Sequence, residues 1–169
     1  MMFTAAKLRR SEMPDDRDTV YLTRMLARYA ATPDGFWLQT LPWRKIHFRW
    51  CPAMRIENGV MGCFSPLFPD TVYLMPRPEE DVSAGPRSYW IEQLFPTIIH
   101  ELRHAWQWKR SKAGYTVCAL PGIRSLTLEK DAERQEKRCL PWLRRWTNEQ
   151  DFRYAAEHNI AVNIPGDKS

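Results

Sequence analysis

Apolar and polar positions along the chain divide it into segments of different period. Val20, Leu22, Met25, Leu26 and Tyr29 recur at the spacing of an amphipathic helix facing a core. Asp15 and Asp16 open that helix, where the dipole favours acids, and Thr32, Pro33, Asp34 and Gly35 end it. From residue 36 the period changes. Residues 43–51 alternate in part, with Ile46, Phe48 and Trp50 on one face. Asn58-Gly59 is a hairpin signal, residues 60–64 read as a second strand, and residues 71–75 as a third, rich in β-formers and stopped by Pro76 and Pro78. Residues 77–88 read as an exposed loop. A helix is then expected from Pro96, well placed in a first turn, to Lys112. Residues 114–125 form a connection containing Pro121 and Gly122. A last helical region starts near Thr127, with a break or kink at Pro141 before the pattern resumes over 142–157. The order α-β-β-β-α-α predicts an α+β domain with a small three-stranded antiparallel sheet. Residues 1–14 and 163–169 read as tails around a single domain, 15–162.

Composition narrows the class. At 169 residues, 44% hydrophobic and 27% charged, the chain can bury a core without disulfides and is unlike a disordered protein. The formal net charge of +5 permits a nucleic-acid partner without demanding one. The longest apolar stretch, residues 89–100, contains Glu92 and falls far short of the ~20 residues of a membrane span. Lys7, Arg9 and Arg10 are followed by Ser11, Glu12 and Pro14 instead of an apolar run, so no secretory signal is read there. A cytoplasmic location with reduced thiols is the expectation, since Cys51, Cys63, Cys118 and Cys139 form no CxxC pair.

The chemistry concentrates at His100-Glu101-Leu102-Arg103-His104, an HExxH sequence on an expected helix. Residues four apart lie roughly 40° apart around a helix and about 6 Å along it, so two imidazoles can converge on one metal ion. Glu101 then stands where it can deprotonate a water at that metal. With four His and eleven Glu in the chain, chance placement would produce the motif about 0.006 times. Ile98, Ile99, Leu102, Ala105 and Trp106 give this helix a broad apolar surface, and Arg103 is expected to meet solvent or an acidic neighbour.

Two His leave a third ligand to find. A metzincin would need Gly at 107 and His at 110, where this chain has Gln107 and Arg110. The gluzincin solution takes a Glu from a downstream helix. Glu129 is assigned as that ligand, with Asp131 and Glu133 as competitors. Glu133, at i+4 from Glu129, is expected to orient a ligand imidazole.

The strands, the TIIHELRHAWQ helix and the helix opening LEKDAERQ together resemble minimal gluzincin-type zinc metallopeptidases, the SprT-like and ImmA/IrrE-like groups, over roughly residues 43–138. The SprT cysteine ribbon is absent, and Arg103 stands where the ImmA type has Gly, so the resemblance reaches the clan and no subfamily. It implies a zincin-like fold, zinc on His100, His104 and Glu129, and Glu101 as general base in peptide hydrolysis. It also implies residues 71–75 as an edge strand that receives an extended protein or peptide substrate. Tyr115 is the candidate oxyanion helper, with His158 behind it; His47 has no metal role.

Eight Trp are read chiefly as core aromatics. Residues 103–153 carry twelve Lys or Arg against six Asp or Glu, a net +6 read as a solvated face. The alternative is a catalytically silent zincin-fold binding or regulatory protein, nucleic-acid associated. A closed structural zinc site completed by His158 or a Cys is a further rival.

Overall fold

In a computed structural model, which describes residues 12–56, 61–77, 87–118 and 127–157, the first apolar stripe forms helix α1 (Asp16–Ala30). Asp15 caps it, accepting the Asp18 N–H at 2.8 Å. Leu22, Met25, Leu26 and Tyr29 are buried, whereas Val20 is 67% exposed. Two residues from Leu22 is about 200° around the helix, which puts Val20 on the solvent side. The Asn58-Gly59 signal, Pro121, Gly122, His158, most of the N-terminal tail and the 163–169 tail lie outside the described residues.

Two 3-10 turns, Phe36–Thr40 and Trp43–Lys45, precede strand β1 (His47–Trp50), which is shorter than the segment read from residue 43. A helical turn, Ala53–Ile56, separates it from β2 (Gly62–Phe64), and β3 is Thr71–Leu74. The strand order is β1-β3-β2. β1 runs parallel to β3, with His47 opposite Thr71, and β2 runs antiparallel to it, with Phe64 opposite Val72. The sheet is therefore mixed, not all antiparallel. The segment expected at its edge is its centre. Val72, Tyr73 and Leu74 are all buried because both faces of the strand are covered: Val72 and Leu74 lie in the main core, and Tyr73 packs with Cys51 and Met54.

Helix α2 (Arg87–Arg110) begins well before Pro96, which sits inside it. Ile91, Leu94, Phe95, Ile98, Ile99, Leu102 and Ala105 form one buried stripe running past the proline. That continuous packing outweighs a single lost N–H bond. Helix α3 (Lys112–Cys118) occupies the start of the expected connection. Helix α4 (Leu128–Glu157) passes through Pro141 without a break. Pro141 is exposed, so the carbonyl it leaves unpaired can take water, while Cys139, Trp142 and Trp146 keep the core face continuous.

α2 packs mainly on α4, and also on β2, β3 and α1. Trp142 stacks on Trp146, with centroids 5.5 Å apart, and leans on Phe95 and Tyr29, so these tryptophans are core aromatics. A partly buried polar clip joins three helices. Glu92 of α2 accepts from the Tyr21 hydroxyl of α1 and, at 3.2 Å, from Thr147 of α4. Trp146 donates to the Tyr21 oxygen at 3.1 Å. Burial and the Glu92 carboxylate push the Tyr21 phenol well above its usual range. None of Cys51, Cys63 and Cys139 is in a disulfide, and burial pushes the Cys139 thiol up to about 12. No helix among the described residues is long and apolar enough to cross a membrane.

Candidate metal centre

His100 and His104 stand one turn apart on α2, and Glu129 lies in the first turn of α4. The packing of α2 on α4 closes the gap of sequence between them. His100 Nε2 is 3.1 Å from His104 Nε2 and 3.2 Å from Glu129 Oε2. His104 Nε2 is 3.4 Å from the same oxygen. Among the described residues, these three form the group of His, Cys, Asp or Glu able to hold a metal ion. Ligands about 2.0–2.1 Å from a tetrahedral ion lie about 3.3–3.4 Å from one another, so one ion can reach all three atoms. Two imidazoles and a carboxylate suit a borderline divalent metal.

A second ring of contacts orients the ligands. His100 Nδ1 lies 3.1 Å from Glu136 Oε2. Burial works against charge on His100, but hydrogen bonds to Glu129 and Glu136 outweigh it and raise its pKa to about 10 in the metal-free chain. A metal ion held by this nitrogen would have to displace a proton. The orienting carboxylate is Glu136 and not Glu133, which is exposed. The buried face of α4 runs through Leu128, Ala132, Cys139 and Trp146. Glu136 lies about 20° from Glu129 towards that face, whereas Glu133 lies about 40° away from it. His104 Nδ1 meets Gln107 Oε1 at 2.9 Å. Asp131 is engaged elsewhere: it accepts from Arg103 Nε at 2.6 Å and from Gln107 Nε2 at 2.9 Å, which removes it as a competing ligand. Burial disfavours its charge, yet these donors hold its carboxyl below the usual range. Arg103 is thus paired, as one of the two sequence expectations has it, and its guanidinium lies 3.9 Å over the Trp106 ring.

Glu101 points from α2 to the sheet. It is buried, and its Oε2 accepts the Phe64 N–H of β2 at 2.7 Å. Met75 N–H donates to Met61 O at 2.9 Å, so by antiparallel alternation Gly62 and Phe64 turn their polar groups away from β3, towards the open edge. The strand beside the motif glutamate is β2, which corrects the choice of 71–75. Gly62 permits the close approach: a Cβ there would meet Thr97 Cγ2 at 2.6 Å and Glu101 Cγ at 3.1 Å. Gly62→Ala is expected to cost about 1–3 kcal/mol through overpacking, read as a lower denaturation midpoint. An unchanged midpoint would show that β2 gives way freely.

Tyr115 of α3 is buried beside the site, its ring 6.3 Å from that of His104 and edge-on to Phe64 and Trp108. His47 is exposed on β1 and is not a member of this group. Sequence reasoning missed Glu136 and Gln107 as supports. The signals were present: Glu136 is two turns from Glu129, and Gln107 one turn from His104. No family model, curated protein or solved structure matches this chain.

Proposed function

We propose that the chain is a zinc-dependent metallopeptidase of zincin-like fold, with His100, His104 and Glu129 as ligands and Glu101 as general base. The observation that carries it is the triangle of donor atoms with edges of 3.1, 3.2 and 3.4 Å, built from three protein ligands beside a buried glutamate. Three protein ligands leave a tetrahedral ion one open position, the arrangement of catalytic rather than structural zinc. Zinc there would supply Lewis acidity, polarising a scissile carbonyl and acidifying a water. Glu101 takes the proton of the attacking water and returns it to the leaving amine. The open edge of β2 at Gly62 pairs with an extended peptide and holds the scissile bond over the site. Tyr115 is assigned to the developing oxyanion on the strength of its place against His104.

The test is metal content and cleavage of a peptide library by the purified chain. One zinc per chain, with cleavage abolished by a chelator and restored by zinc, is expected. Chelator-insensitive cleavage, or no zinc uptake, would overturn the reading. One observation favours a catalytically silent binding protein instead: the Glu101 carboxylate already accepts the Phe64 N–H. That reading predicts zinc uptake with no cleavage and, for a nucleic-acid partner, salt-dependent binding.

A further inference from the structure

Arg103 lies inside the motif but faces none of the three ligands. Its guanidinium is set over the Trp106 ring at 3.9 Å and the Trp37 ring at 5.1 Å. From there it donates through Nε at 2.6 Å and a terminal nitrogen at 3.2 Å to the two oxygens of Asp131. Arginine only donates and an ionised carboxylate only accepts. The next link therefore has no choice of direction. Gln107 must turn its amide nitrogen to Asp131, at 2.9 Å, and to the Leu128 carbonyl, at 3.2 Å, which uses both of its hydrogens. Its oxygen is left facing His104 Nδ1 at 2.9 Å. His104 must then donate from Nδ1, which leaves the lone pair of the neutral ring on Nε2, the atom that faces His100 and Glu129.

We propose that Arg103 is a positioning residue of the metal centre, setting the ligating tautomer of His104 through Asp131 and Gln107. The inference rests on the metal-centre reading and adds to it a support built from residues outside the ligand set. Arg103 fixes the direction of the chain of bonds by holding both oxygens of Asp131 as acceptors.

The decisive variants are Gln107→Met, which removes the acceptor facing His104 Nδ1, and Arg103→Met, which keeps the stem against the tryptophans and leaves Asp131 without its fixed donors. Zinc affinity, measured by chelator competition, is expected to fall roughly 10–100-fold in the first, the usual cost of losing an outer partner, and about 10-fold in the second. The 15N shifts of His104, read on metal-free protein, should move in both from a single Nδ1–H tautomer to a mixture. Asp131→Asn is the control. Arg103 Nε and Gln107 Nε2 both donate to Asp131 Oδ2, so an amide oxygen in that place still accepts from both, the Leu128 carbonyl still holds the second Gln107 hydrogen, and the His104 tautomer should be kept. Zinc binding by a folded Arg103→Met within about twofold of wild type, or an unchanged His104 tautomer in folded Gln107→Met, would overturn the proposal. A wild type that takes up no zinc would overturn the metal-centre reading instead, and the His104 shifts would still report on the chain of bonds.

Discussion

Glu101→Gln is expected to retain one zinc per chain and to lose about 10²–10⁴-fold in peptide hydrolysis. The substitution keeps the shape of the side chain and an oxygen for the Phe64 N–H, now held at 2.7 Å by a carboxylate. It removes only the charge and the ability to take a proton. A neutral acceptor in place of an ionised one should cost about 1 kcal/mol of stability, a small shift in the melting curve. None of the three ligand atoms is touched, so metal content should not change. Loss of activity with full zinc places the effect on proton transfer. Unchanged turnover in the fully loaded variant would remove Glu101 as the base, and loss of zinc would mean that it supports the ligands instead.

The second large effect concerns Glu129. Its Oε2 lies 3.2 Å from one imidazole nitrogen and 3.4 Å from the other, the only carboxylate oxygen within salt-bridge distance of both motif histidines among the described residues. Glu129→Ala leaves two neutral donors on one helix and no anion. Zinc affinity is expected to fall beyond the roughly 10–100-fold typical of outer partners, measured as metal retained after dialysis against a weak chelator. The folded state should persist, because the α2–α4 contact rests on the apolar stripes of both helices and Glu129 is only half-buried. Equal zinc in variant and wild type would remove Glu129 from the donor set. Asp131 is a poor substitute in that event, being tied to Arg103 and Gln107.

The motif itself is legible because its geometry is local. An i, i+4 pair on a helix projects two imidazoles to one side whatever the rest of the fold does. The core face of α1 is legible for the same reason, from Leu22 to Tyr29, although Val20 does not belong to it and faces solvent. Helix ends are less legible. Pro96 and Pro141 look like punctuation, yet each lies within a helix whose apolar stripe continues across it. Local propensity costs a few kcal/mol at such a position, and long buried stripes outweigh that.

Sheet order is hidden for a different reason. A strand sequence records burial on its faces but not which neighbour supplies its hydrogen bonds. The uninterrupted apolar run of β3 fits the central position it takes, against the expectation of an edge. The supporting contacts are hidden for a related reason. Glu133 and Glu136 are both acids on one helix, and only the direction from which α2 packs decides that Glu136 meets His100.

By itself, the sequence determined the α+β class, the paired imidazoles and the presence of acids on a following helix, all consequences of period and spacing within one element. Only the tertiary structure decided the rest. It set Glu129, and neither Asp131 nor Glu133, beside the two imidazoles, made β2 rather than β3 the strand beside Glu101, and joined Arg103 to His104 through two intervening side chains. Each of these depends on how separate elements meet, and the relative rotation of packed elements is set by core packing across many residues rather than by any local pattern.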